Sequence, residues 1–171
     1  MLLNDDQLLA VFPYPVLTKI IGKPNLVSIT LQQREQNGNL ASIKSNLGYG
    51  FTGLMVLSMK PDIFKTIHPD AFEIPTNPGP ALDPAVIAAA STATKITDIY
   101  KAYALESAIY AEYVTSERIS VKLTLDIMSE RYYKALKNSY TGYASVTLRQ
   151  LLDHLVTTYT EIDQFDLEKN Q

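Results

Sequence analysis

Apolar positions recur at helical spacing in three stretches of this chain. The longest begins at Ala85, and no Pro or Gly follows until Gly142. Within it Ile96, Ile99, Tyr100, Tyr103, Tyr110, Tyr113 and Val114 form one stripe. Val121, Leu125, Met128, Tyr132 and Leu136 form a second, with Ile119, Leu123 and Ile127 beside it. Two adjoining stripes predict that the second half is buried on a broad face. The pattern predicts one very long helix, or two nearly collinear helices broken near Thr115-Ser116. Unbroken from Ala85 to Asn138 it would span roughly 80 Å, which argues for a kink.

The closing stretch has the tightest register. Thr147 precedes an apolar run and Gln150 follows three residues later, the arrangement of a capping box. Leu148, Leu151, Leu152, Leu155 and Tyr159 then make one stripe, and Asp153 faces away from most of it. Tyr132, Tyr133 and Leu136 are expected to close a preceding helix, with Asn138-Ser139 and Thr141-Gly142 as the turn. Gly142 can take positive φ at little cost. Two helices packed at an angle around a shared Tyr/Leu core follow, then an acidic stop.

The first half is more broken. Pro13, Pro15 and Pro24 make residues 1–24 an extended or partly helical arm packed on the body. Asn25 can cap a helix through Leu26, Ile29, Thr30 and Arg34 as far as Ser42, continuing across Asn37-Gly38-Asn39. Leu54 to Leu57 reads as strand-like or buried coil. Ser58 reads as the N-cap of a short helix with Pro61 in its first turn. Five prolines between His68 and Pro84 make a Pro-rich loop, 68–84, and Asp83-Pro84 is a helix start. The expected architecture is all-α: a Pro-containing N-terminal arm (1–24) and one multi-helix domain (25–171) with one very long or kinked helix.

Composition narrows function by exclusion. The formal net charge is −3, so the whole chain is no electrostatic match for nucleic acid. Charge is uneven, positive over residues 1–60 and negative beyond, but neither part is strong enough to name a partner. There is no cysteine, which removes disulfides, thiolate nucleophiles and zinc knuckles together. The N-terminus lacks a signal-peptide layout, and no apolar run approaches the roughly 20 residues of a membrane span. A cytoplasmic setting is expected, with no membrane partner.

Candidate chemistry is sparse. Gly48, Gly50 and Gly53 invite a phosphate-loop reading, but the Gly-Lys-Ser/Thr ending is missing and a tight turn is the simpler reading. His68 and His154 are far apart in sequence, and a metal site needs more ligands. Asp153 and His154 are neighbours, so on a helix they point about 100° apart and form no oriented pair. Acidic residues such as Glu117, Asp126 and Asp163 read as solvated surface. The stripe of Tyr100, Tyr103, Tyr110 and Tyr113 reads as core packing with hydroxyls at the rim, or as a subunit interface. No catalytic, cofactor-binding or metal-binding residue is expected, and no cofactor.

Two segments carry a family resemblance. In the first, Gly48, Gly50 and Gly53-Leu54-Met55-Val56 match a Gly-rich run; Tyr49 stands where that run has a glycine and Thr52 lies nearest its usual histidine. In the second, Tyr133 and Leu136 are followed by Thr141-Gly142-Tyr143, Val146-Thr147, Leu151-Leu152-Asp153-His154-Leu155 and Tyr159. In order and spacing these resemble the Gag polyproteins of copia-type LTR retrotransposons, over roughly residues 16–168. The resemblance implies an N-terminal capsid-like domain, non-enzymatic, that self-assembles as a homo-oligomer into a virus-like particle packaging RNA. A second helical capsid-like domain and a Cys/His knuckle are not in this chain, so RNA contact is expected only indirectly, through other parts of a parent polyprotein. The competing readings are a helical adaptor or regulatory binding module, and an enzyme with its site between the long helix and the Gly-rich segment.

Overall fold

The computed structural model describes residues 4–44, 52–68, 72–80, 83–89 and 92–160. Among them the architecture is all-α: α1 Asp5–Val11, α2 Leu26–Ala41, α3 Pro61–Ile67, α4 Pro84–Ala89, α5 Ala93–Leu125 and α6 Leu148–Tyr159. Short 3-10 turns at Met55–Leu57, Glu130–Tyr132 and Lys134–Leu136 fill the connections.

The arm is partly helical. Asn4 and Gln7 form a reciprocal cap that starts α1. The arm packs on the body, with Leu8, Phe12, Leu17 and Ile20 in the main core. Arg118 of α5 ion-pairs with Asp5 at 2.6 Å, and Ile20 N–H donates to Ile127 O at 2.8 Å.

Helix α2 is the hub. Asn25 caps it through Ser28 N–H, and it continues past Gly38 to Ala41. A Cβ on Gly38 would meet the Tyr14 ring at 3.2 Å, so the missing side chain is where the arm lies against the helix. The next residue, Asn39, clasps Tyr14 on both sides: its Oδ1 accepts Tyr14 N–H and its Nδ2 donates to Tyr14 O, each at 2.8 Å. One turn earlier the Glu35 carboxylate accepts from the Thr18 N–H (2.9 Å) and hydroxyl (2.5 Å). Gln32 and Gln36 face α5, where both donate to Thr124 Oγ1, at 3.0 and 2.7 Å. The four polar side chains are buried because each reaches a partner on a different segment.

At the far end of α2, Gly53 explains its own identity. It has φ +50°, and a Cβ there would lie 2.5 Å from Leu40 O and 2.6 Å from Ile43 O. Only glycine lets the chain pass over the last carbonyls of α2, where Leu54 N–H donates to Leu40 O. Three local expectations need correction. Leu54–Leu57 is neither strand nor coil but a 3-10 turn. Ser58 does not cap α3; Lys60 holds that place, and the Ser58 hydroxyl donates to Asn37 instead. The segment Glu130–Leu136 is two 3-10 turns rather than the end of a helix.

The long helix is 33 residues and runs without interruption through Thr115-Ser116. Thr92 caps its start by accepting from Lys95 N–H, which separates it from α4. It stops at Leu125, not near Asn138. Helix α6 matches its expected register: Thr147 and Gln150 form the capping box, and Leu148, Leu151, Leu152 and Leu155 are fully buried. Asp153 is exposed and pairs with Arg149.

Candidate functional site

The tyrosine stripe lies on the half of α5 that buries no side chain fully. Every residue that the helix buries lies at or beyond Ser116: Ser116, Ile119, Ser120, Val121 and Thr124. From Ala93 to Thr115, about 34 Å of helix, no described side chain is buried. Tyr100 is 45% exposed and Val114 40%, while Tyr103 and Tyr110 are half-buried. Tyr100, Tyr103 and Tyr110 therefore lie outside the core, whereas Tyr113 packs against its edge.

Part of the Pro-rich stretch lies along this half-helix as a strap. Phe72 stacks on Tyr113 at 6.0 Å, and Gly79 O accepts from the Tyr103 hydroxyl at 2.9 Å. The strap thus runs antiparallel to α5, back toward its N-terminus. It covers Tyr103 and Tyr113 and leaves Tyr100 in solvent. A second uncovered apolar patch is on α2, where Leu26 (58%), Val27 (79%) and Leu31 (38%) are exposed.

The marker residues of the C-terminal stretch are structural. Gly142 has φ +62° and closes a turn with Asn138, whose N–H donates to Gly142 O at 2.8 Å. Thr141 N–H donates to the Asn138 side chain, and Tyr143 packs edge-on against Tyr133. The Tyr143 hydroxyl donates to Glu130; burial and then this carboxylate push its pKa up to about 12. Leu151 and Leu152 belong to the core. His154 shares a 3.0 Å hydrogen bond between its Nε2 and Tyr132 O, and Tyr159 donates to the same carbonyl. Asp153 and His154 thus serve different partners and make no couple. His68 ends α3, with its Nε2 2.7 Å from Thr52 Oγ1. Gly48 and Gly50 lie outside the described residues, as does the acidic stop beyond Thr160.

Glu117 corrects the reading of the acidic residues as solvated surface. It is half-buried, and its Oε1 accepts the Leu148 N–H at 3.2 Å, at the N-terminus of α6. Burial raises its pKa above 4.5, and the Leu148 bond opposes the rise in part. Glu117 borders a cavity of about 340 Å³ between α3, the strap, α5 and the start of α6. Phe64, Phe72 and Tyr113 supply aromatic wall. No spacing signal in the sequence marks this site, because its residues come from segments up to 93 positions apart, Val56 to Arg149.

No helix among the described residues is long and apolar enough to cross a membrane. Among them, too, no three His, Asp or Glu side chains group as metal ligands do. Comparison with family models, curated proteins and solved structures returns no match to this chain.

Proposed function

We propose that this chain is a non-enzymatic structural module that assembles with copies of itself, as the N-terminal capsid domain of a copia-type Gag would. The observation that carries the reading is the incompletely covered N-terminal half of α5. A helix in water is stabilised chiefly by the face it buries, and Ala93–Thr115 buries none of its residues fully. Tyrosines at helical spacing on such a segment suit a subunit interface, where Tyr is enriched. A shell needs more than one contact surface per copy, and the Leu26, Val27 and Leu31 patch of α2 offers a second. In this reading RNA is packaged through other parts of a parent polyprotein, and the setting is cytoplasmic.

The histidines support a non-catalytic reading, since His154 and His68 both serve hydrogen bonds that join segments of the fold. Sedimentation and negative-stain microscopy over a concentration series test the proposal. Concentration-dependent oligomers are expected, and Tyr100→Glu combined with Val114→Glu should abolish them without changing helical content. A chain that stays monomeric at every concentration, or a double variant that still assembles, would sink it.

A further inference from the structure

The cavity beside Glu117 is not used by the assembly reading. Its volume, about 340 Å³, lies in the range of small-molecule sites, roughly 300–1,000 Å³. It is more than twice the roughly 150 Å³ that suffices for a benzene-sized guest in a dry apolar cavity. Three aromatic rings line it in succession: Phe64 meets Phe72 edge-on at 6.2 Å, and Phe72 stacks on Tyr113 at 6.0 Å. Such walls favour a flat aromatic guest over a branched aliphatic one.

One polar group stands one helical turn from Tyr113. Glu117 uses Oε1 for the Leu148 N–H. Its Oε2 makes no hydrogen bond among the described residues and is an acceptor for a guest. The charges around the cavity balance. Exposed Lys65 offsets Glu117, and the Arg149 guanidinium is held by Asp153 at 2.7 Å and by Ser58 O at 2.6 Å. No net charge favours an ionic guest of either sign.

We propose that this cavity binds a small neutral aromatic molecule bearing one N–H or O–H donor, the ring among Phe64, Phe72 and Tyr113 and the donor on the Glu117 carboxylate. This goes beyond the assembly reading and does not depend on it.

Titrating the full chain with indole, followed by amide NMR, tests it. Saturable shifts are expected at Tyr113, Glu117 and Leu148. N-methylindole, which keeps the ring and loses the donor, should bind about tenfold more weakly, as the loss of a hydrogen bond to a charged group implies. Glu117→Gln keeps an acceptor for Leu148 N–H but can present a donor amide to the guest, so the gap between the two indoles should close. Phe72→Ala, on the strap and outside the main core, should weaken both. Three results would overturn the proposal: no saturable shift with indole, equal binding of N-methylindole to the unaltered chain, or tighter binding of tryptamine or indole-3-acetate than of indole. Indole affinity that falls as protein concentration rises would also overturn it, by showing the cavity filled by a second copy.

Discussion

Helices α6 and α2 pack against each other in one core and are built on different rules. Helix α6 turns four leucines inward and keeps Asp153 out. Helix α2 turns Gln32, Glu35, Gln36 and Asn39 inward between Ile29 and Leu40 and leaves Leu26, Val27 and Leu31 in solvent. The inward face of the first is wholly apolar. The second sits among the arm, α5 and the turn before α3, and each inward amide or carboxylate holds one of those neighbours. A helix contacted on several sides does not need a continuous apolar stripe; it needs each buried polar side chain to reach a partner.

The largest effect should come from the leucine side. Leu152→Ala removes a fully buried side chain from a packed core, and about 3 kcal/mol of stability should be lost in urea unfolding. A loss below about 1 kcal/mol would mean that α6 is not the apolar anchor described.

The polar side should behave differently with the replacement chosen. Gln36→Ala removes donors to Thr124 Oγ1 and Ser120 O and leaves a void, so about 2 kcal/mol should be lost. Gln36→Met keeps the volume. It also removes a buried Oε1 that has no hydrogen bond, and Thr124 keeps both Gln32 and its own bond to Ser120 O. The Met variant should therefore stay within about 1 kcal/mol of the parent. If Met costs as much as Ala, the amide bonds themselves hold α2 to α5 and the two helices differ more deeply than volume explains.

Capping is a smaller term. Thr147→Ala removes the acceptor for Gln150 N–H at the start of α6 and should cost about 1 kcal/mol. Asn25, which caps α2 in the same way, should respond alike, so a large difference between the two caps would show that one helix end is held by its neighbours instead.

These contrasts explain which features were legible in the sequence. The α6 register, its capping box and the positive φ of Gly142 depend on residues within a few positions of one another, and all appear where spacing placed them. The all-α class followed from the same periodicity. The burial of Gln32 and Glu35 did not, because their partners Thr124 and Thr18 lie 92 and 17 residues away. Glutamine and glutamate in a helix look solvated until the neighbour that satisfies them is known. The tyrosine stripe fails in the reverse sense: periodicity identified a face but not whether anything covers it. The end of α5 was misplaced because the apolar pattern continues through Met128, Tyr132 and Leu136 while the backbone turns into 3-10 geometry. Glu117 carries no local signal at all, and only the approach of the α6 N-terminus gives it a role.

Glu117 also supplies the test of smallest expected amplitude, and one with a definite sign. Burial is the larger influence on it, so the folded state holds its proton more tightly than the unfolded chain does. Below the ordinary value of 4.5 both states are protonated, and the group costs the fold nothing through proton linkage. As pH rises through that value the unfolded chain releases its proton first, and stability falls until the raised folded pKa is passed. Glu117→Gln keeps an acceptor for Leu148 N–H and removes the titration. The difference in unfolding midpoint between the variant and the parent should thus be smallest below pH 4.5, grow in favour of Gln as pH rises above it, and level off once the raised folded pKa is passed. Comparing two chains that differ at one residue cancels the contribution of the other ionisable groups to first order. A difference that shrinks as pH rises would mean that the Leu148 bond to the charged carboxylate outweighs its burial, and that Glu117 stabilises the start of α6 much as Glu35 stabilises the arm.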